Sequence, residues 1–329
     1  MDKVERAVDD IRRKWVPDGR LGVFEVSLLP KGIAGTTSSR DARDALRRLA
    51  NDQELVDKVQ LIPEEVVDPA AVVTAALAPL QSEPKISAAR VTEVLHGEVL
   101  DVLERREDWL RIRAPDGYIA WLPAGYVASG PADWAEDWRE RATARSLSAD
   151  ILTTDGHRRL PTGARVALRR GVVELADGQH GAVAAGNIRR EQELRVEARH
   201  LALPELAQKW YGGAPYLWGG RTEWGIDCSG LTQAVYAARG IKLPRDSDQQ
   251  FVEGREVALA PDGAGYEAGD LLFFADRGRV SHVALWAGAG RIVHSALSRG
   301  GVGGDNLLGE EPRMVRLREN LVGVRRLGG

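Results

Sequence analysis

The chain has 329 residues, 43% of them hydrophobic, with 45 basic against 48 acidic side chains and a net charge of −3; this suits two to four globular domains and excludes the basic footprint of a nucleic-acid binder. Its single cysteine cannot form an intrachain disulfide, so nothing implies oxidising export. The opening MDKVERAVDDIRRKW lacks the apolar core of a signal peptide, and no later stretch reaches the roughly 18 apolar residues that span a bilayer.

The expectation is a cytoplasmic monomer with a small-molecule partner and no membrane, unless an export signal has been removed. Along the chain, Val4, Val8, Ile11 and Trp15 are spaced as an amphipathic helix. LGVFEVSLL alternates as a strand, Pro30-Lys31-Gly32 turns, and Ser38 or Ser39 can cap a helix bearing Ala42, Ala45, Leu46 and Leu49. VDKVQLIP then reads as a returning strand. This pattern resembles a small BON-like α/β module, residues 1–72, with a scaffold role.

From about residue 76 to 197 short alternating runs such as VTEVL, EVLDVLE and WLRIRA are separated by Gly and Asp-Gly signals, the pattern of small β-barrels. An internal repeat supports two of them. Pro115-Asp116-Gly117-Tyr118 through Ala124-Gly125-Tyr126-Val127 recurs 61 residues later as Ala176-Asp177-Gly178-Gln179 through Ala185-Gly186-Asn187-Ile188. The boundaries expected are 73–130 and 131–197, and both barrels resemble bacterial SH3-like domains. Between them Trp134 and Trp138 lie one helical turn apart, a packing stripe.

Residues 198–329 change texture again. EARHLALPELAQKWYGG reads as one helix ending at Gly212-Gly213, and LTQAVYAAR as another, with Leu231, Ala234, Val235 and Ala238 on one face and Gly240 as its stop. DLLFF, SHVALWAG and RIVHSAL follow as antiparallel strands, giving an α+β domain.

Cys228 sits in WGGRTEWGIDCSGL, where a glycine-rich loop turns into the second of these helices. With Asp227 as N-cap, Cys228 is the first helical residue, and the helix tip favours a thiolate by roughly 0.3 to 2 kcal/mol. A neighbouring imidazolium supplies the larger share, so the expectation is a sulfur ionised at rest. His282 and His294 lie in one hairpin, nearly opposite and on one face: one can take the thiol proton while the other orients it.

Asp227-Cys228-Ser229-Gly230-Leu231, Gly269-Asp270-Leu271-Leu272-Phe273-Phe274, Ser281-His282-Val283-Ala284 and Val293-His294 together resemble the NlpC-type papain-like cysteine peptidases of bacterial cell walls. The resemblance implies a papain-like catalytic domain, Cys228 as nucleophile, His282 as general base, His294 as orienting residue, and Tyr216 beside the backbone N–H of Cys228 at the oxyanion. The order of module, two SH3-like barrels and peptidase resembles the YkfC-type γ-D-glutamyl-L-diamino acid endopeptidases. That implies a murein peptide, L-Ala-γ-D-Glu-diamino acid, whose free amine meets Glu83 and Tyr118 of the first barrel. It further implies substrate contacts at Trp218, Asp227, Ser229, Asp246 and Ser247. A carboxylate and a phenol suit an ammonium, and hydroxyls and N–H groups suit a carboxylate.

No cofactor is required. With 45 basic residues, Arg221 and Arg245 are read as solvated rather than as substrate partners. Two other readings compete. Zinc held by one cysteine and two histidines is one, although the spacing is unlike compact zinc motifs. The other is a wall-fragment binding protein whose peptidase domain is inactive.

Overall fold

The apolar spacing of the first fifteen residues becomes α1 (Lys3–Trp15), which buries Val8 in a small core with Ile33, Leu46, Ala50 and Val59. In the computed structural model, which describes residues 3–63 and 66–328, this core belongs to an N-terminal α/β module. A hairpin of β1 (Phe24–Leu29) and β2 (Gly32–Thr37) is followed by α2 (Arg40–Asp52) and by β3 (Val56–Leu61), which runs parallel to β2, so α2 is the crossover. Ser39 caps α2, its Oγ accepting from the N–H of Ala42 at 3.2 Å. Ser38 instead accepts from the N–H of Val23 at 2.9 Å and ties the module's entry to its exit from the hairpin.

The chain divides into two compact units. The first runs up to Val73 and takes in Leu80–Ala89 and Glu98–Asp137; the second takes Thr74–Pro79, Arg90–Gly97 and everything from Trp138. The strands of the first barrel region are β4 (Ala70–Val73), β5 (Leu77–Gln81), β6 (Arg90–Leu95), β7 (Val99–Arg106), β8 (Trp109–Arg113), β9 (Ile119–Pro123) and β10 (Val127–Gly130). Within the first unit, β10, β4, β7, β8 and β9 are successive antiparallel neighbours, and Gln81 of β5 pairs with Trp121 of β9. Arg111 is almost fully buried across the ring of Trp121, its guanidinium 4.4 Å from the ring centre.

The unit boundary falls within α3 (Ala132–Arg141): Trp138, in the second unit, donates its indole N–H to the Gly97 carbonyl at 2.9 Å, whereas Trp134, in the first, stays partly exposed. The second barrel follows: β11 (Ala144–Thr153), β12 (Gly156–Leu160), β13 (Arg165–Arg169), β14 (Val172–Glu174) and β15 (His180–Arg190), closed by pairing of β11 with β15. The sequence repeat has a structural basis in its first half. Asp116 accepts from the N–H of Tyr118 at 3.1 Å and Asp177 from that of Gln179 at 3.2 Å, and Gly117 and Gly178 both take positive φ. The second halves part company: Ala124–Tyr126 forms a 3₁₀ turn, while Gly186 lies in β15, where the pairing with β11 shifts register.

His96 is wholly buried here. Nδ1 faces the carbonyls of Thr74 (3.0 Å) and Ala75 (3.3 Å), and Nε2 accepts from the N–H of Ala176 (3.0 Å), so the ring is neutral and fully bonded. Burial pushes its pKa down to about 4, against a smaller upward pull from the Thr74 carbonyl.

The C-terminal α+β domain starts with a departure from the sequence expectation of one long helix. The segment is split into α4 (Glu191–His200) and α5 (Leu203–Tyr211), because Pro204 has no N–H for the carbonyl of His200 and its ring clashes with that turn. A short pair, β16 (Arg221–Thr222) and β17 (Gly225–Ile226), leads into α6 (Cys228–Ala238), then come α7 (Ser247–Gln250), β18 (Arg255–Val257), β19 (Leu271–Asp276), β20 (Arg279–Gly288), β21 (Arg291–Ala296), β22 (Gly301–Asn306), α8 (Pro312–Glu319) and β23 (Leu321–Arg326). The last six strands, β18 to β23, form one antiparallel sheet of order β18-β23-β19-β20-β21-β22. Leu231, Val235 and Tyr236 of α6 pack with Leu203, Leu206 and Ala207 of α5 against Phe273, Val283, Leu285 and Val293 of the sheet. The architecture is α+β: an N-terminal α/β module, two regions of short antiparallel strands, and a C-terminal domain of helices on an antiparallel sheet. Among the described residues no helix is long and apolar enough to cross a membrane.

Because the folded chain holds His96 neutral far below its ordinary range, the unfolded chain binds an extra proton between about pH 6.5 and 4, and stability falls as pH falls through that window. The loss is expected to reach about 3 kcal/mol for this residue. His96→Gln, less stable at pH 7, is expected to lose clearly less on going from pH 7 to 4.5 in denaturant titrations; an unchanged slope would discard the assignment.

Candidate active site

Asp227 is the N-cap of α6, and Cys228 its first residue, as the sequence predicts. The loop ahead of it is held by the Asp227 carboxylate. Its Oδ1 accepts from the N–H of Gly230 (2.7 Å), its Oδ2 from that of Gly219 (2.8 Å), and Arg245 donates to both oxygens at 2.9 and 2.8 Å. Gly219 takes φ +76° in this bend and passes so close to Val91 and Thr92 that a Cβ would stand 3.1 Å from their backbone. Gly230 faces the Gly220 carbonyl, which a Cβ would approach to 2.3 Å.

Arg245 overturns its sequence reading. Far from solvated, it is 1% exposed, and its remaining N–H groups reach Thr92 Oγ1 (2.7 Å), Ser229 Oγ (3.0 Å) and the Gly220 carbonyl (3.2 Å). Arg221 is likewise engaged: its guanidinium donates to the Glu93 carbonyl at 2.9 Å and its backbone N–H to the buried Glu93 carboxylate at 2.6 Å.

The two histidines meet, by a different route from the one the spacing suggests. Leu285 stands opposite Val293 and Trp286 opposite Ile292, and beyond a register shift Gly288 pairs with Arg291. Continued, that register sets His294 against Ala284, so His282 and His294 are diagonal neighbours. Imidazoles span such a diagonal: His282 Nε2 lies 2.7 Å from His294 Nδ1, the rings edge-on at 67° with centres 5.0 Å apart. His294, 3% exposed, places its Nε2 2.9 Å from Asp305 Oδ2 on β22, where Gly303 is its own cross-strand partner. Asp305 was absent from the sequence reading. Its one signal is position, an acid two residues beyond the glycine that pairs with the second histidine.

The sulfur's environment also corrects the sequence reading. Cys228 is 7% exposed and belongs to the apolar core between α6 and the sheet. Burial, and then the charge of Asp227, push its thiol up to about 12, despite hydrogen bonding from the N–H groups of Val283 and Ser229 and the charge of Arg245. His282 is pushed down to about 3, chiefly by burial. Both shifts run toward neutral thiol and neutral imidazole, against the thiolate–imidazolium pair expected from the helix tip and a neighbouring imidazolium. The helix end contributes too little to outweigh desolvation of an anion.

Tyr216 is half-buried in the loop after α5, its N–H bonded to the Gly300 carbonyl at 2.9 Å. Burial and the nearby charge of Asp227 raise its phenol pKa, so it remains a protonated donor. Trp218 stands on the same loop, 66% exposed. Asp246 and Ser247 open α7, directly after Arg245; the N–H of Asp246 bonds Gln249 Oε1 at 3.3 Å, and Ser247 is buried. Asp227 and Ser229 are buried in the Arg245 network, and the Asp227 carboxylate is saturated by its five contacts there. In the first unit, the Gln81–Trp121 pairing puts Glu83 and Tyr118 at the same end of the β5–β9 pair. Glu83 is exposed and ion-paired to Lys85 at 2.7 Å, whereas Tyr118 is 6% exposed. Among the described residues no three His, Cys, Asp or Glu side chains gather as a metal site.

Residues 213–319 match the NlpC/P60 family, and residues 80–125 match the bacterial dipeptidyl-peptidase Sh3 domain. A gamma-D-glutamyl-L-lysine dipeptidyl-peptidase of Bacillus cereus is 29% identical over 229 residues, 62% of this chain and 66% of that protein. A Bacillus subtilis protein of the same name is 43% identical over 86 residues, 25% of this chain and 28% of its own. The chain thus spans about two thirds and about a quarter of the lengths of these two relatives. Among solved structures, an NlpC/P60 family protein from Bacillus cereus shares the fold at TM-score 0.63 and 22% identity, covering 78% of this chain and 99% of that one.

Two outcomes are expected. Iodoacetamide should alkylate Cys228 slowly at pH 7 and faster as pH rises past 9; a rate already at its plateau by pH 5 would mean a resting thiolate after all. Arg245→Leu, which leaves the Asp227 carboxylate buried and unpaired, is expected to cost about 3 to 5 kcal/mol in denaturant titrations. Combination with Asp227→Asn should recover part of that loss.

Proposed function

Since the chain carries an NlpC/P60 domain behind a bacterial dipeptidyl-peptidase SH3 domain, we propose that it is a cysteine endopeptidase that hydrolyses the γ-D-Glu to diamino-acid bond of murein peptides bearing a free N-terminal L-Ala. The observation that carries the reading is the chain's one cysteine at the first position of a helix, its sulfur bonded by the N–H of the residue after His282, while His282 contacts His294 at 2.7 Å.

The neutral resting pair sets the order of events. His282 takes the thiol proton as the sulfur attacks the γ-carbonyl carbon, so thiolate character develops only with the C–S bond. The carbonyl oxygen becomes an oxyanion, met by the phenol O–H of Tyr216 and the N–H of Cys228. Collapse breaks the C–N bond, and the imidazolium of His282 gives its proton to the leaving α-amine of the diamino acid. Water, deprotonated by His282, then opens the thioester, releasing L-Ala-D-Glu and the free thiol. No cofactor enters this sequence.

Selectivity for short peptides comes from the first barrel. The Glu83 carboxylate would exchange its exposed lysine partner for the substrate's ammonium, with the Tyr118 hydroxyl as second contact. Trp218 would pack against the D-Glu methylenes, and Ser229, Asp246 and Ser247 would surround its free α-carboxylate.

Incubation with L-Ala-γ-D-Glu-diaminopimelate is expected to release L-Ala-D-Glu, and Cys228→Ala to abolish this. Intact peptide that nevertheless binds would favour the wall-fragment binding reading. N-acetylated peptide should be cut at least tenfold more slowly, and Glu83→Gln should narrow the gap. Equal rates on free and blocked peptides would remove Glu83 and Tyr118 from recognition.

A further inference from the structure

A histidine as third member of the relay leaves its direction undecided. The 2.7 Å contact between His282 Nε2 and His294 Nδ1 can carry its proton on either nitrogen. Only one arrangement works for the chemistry proposed above, because His282 must keep its other nitrogen, Nδ1, unprotonated to receive the thiol proton. The carboxylate of Asp305 removes the ambiguity. It is 7% exposed, and Oδ2 stands 2.9 Å from His294 Nε2. An ionised carboxylate only accepts, so the Nε2 of His294 carries the proton. Neutral His294 then has a bare Nδ1, which accepts from His282 Nε2–H and leaves His282 Nδ1 bare.

The carboxylate is itself pinned. Arg299, from the turn after β21, and Arg313, from α8, each donate to Asp305 Oδ1 at 2.7 Å. Gly303, the cross-strand partner of His294, leaves room for this, since a Cβ there would come within 2.1 Å of the Arg299 guanidinium. Burial alone would raise the Asp305 pKa; the hydrogen bond with His294 and the charges of Arg299 and Arg313 outweigh it, and the group is held ionised. Both arginines are partly exposed, so the clamp closes from the solvent side while the histidine face stays dry.

We propose that Asp305 is a positioning residue that fixes the tautomer of His294 and, through it, that of His282, so that Nδ1 of His282 is free to take the Cys228 proton. The inference rests on the endopeptidase reading for its catalytic consequence but not for its tautomers, and the two are measured separately. Long-range ¹⁵N–¹H spectra of the ¹⁵N-histidine-labelled full chain at pH 7 are expected to show His282 and His294 both protonated on Nε2. In Asp305→Ala, checked for folding by its melting transition, both signals should shift toward mixed tautomers. On the tripeptide, kcat should fall about 10- to 100-fold with KM within about twofold. Asp305→Asn, which keeps the shape but also has a donor to offer, is expected to show the same exchange to a smaller extent, and it decides the matter if the alanine variant does not fold. Wild-type tautomers and kcat in a folded variant would overturn the assignment. A wild-type chain with the expected tautomers and no peptidase activity would sink the endopeptidase reading and leave the role of Asp305 in the tautomer standing.

Discussion

The site depends on one buried ion pair. Arg245 and Asp227 are both almost free of solvent, an arrangement that costs several kcal/mol in desolvation per ion and survives only when every lone pair and N–H is matched. Here they are matched. Arg245 makes five hydrogen bonds, to two oxygens of Asp227, to Ser229, to Thr92 and to the Gly220 carbonyl, and Asp227 also takes the N–H groups of Gly219 and Gly230. One guanidinium thereby joins the strand at Thr92, the glycine loop, the tip of α6 and the entrance of α7. The position of Cys228 follows, since it is the residue between the two bonded partners Asp227 and Ser229.

That network also bears on the raised proton affinity of the sulfur. The Asp227 charge that stabilises the loop lies next to the thiol and opposes its ionisation, and Arg245 offsets this only in part. Backbone N–H groups of Ser229 and Val283 already point at the sulfur, so an anion formed there meets donors that need no rearrangement. The same residues disfavour the charged ground state and receive charge as it develops. In the proposed reaction, low proton affinity at His282 would keep a base present at neutral and mildly acid pH, and the link through His294 to Asp305 would stabilise the imidazolium once it forms.

Much of this was legible in the sequence. A lone cysteine after an N-cap aspartate, two histidines in one hairpin, and an Asp-Gly repeat with a 61-residue period each translate directly into local geometry, because caps, strand pairs and Asx turns are set by neighbours in the chain. What escaped was non-local. Arg245 is one of 45 basic residues, and nothing nearby reveals that Thr92 and Asp227 will enclose it. Asp305 lies in a glycine-rich run whose meaning depends on the β21–β22 register. The proton affinity of the thiol was misjudged for the same reason: the helix end is visible in the sequence, and the depth of packing around it is not. Pro204, by contrast, is a local helix-breaking signal within the segment read as one helix.

The enclosed sulfur has a bearing on chemical durability. Peroxides oxidise thiolates far faster than thiols, and solvent access governs what remains. A protonated, 7% exposed side chain in a protein with no second cysteine presents little to such oxidants between turnovers, and a sulfenic acid formed there would find no partner thiol in its own chain.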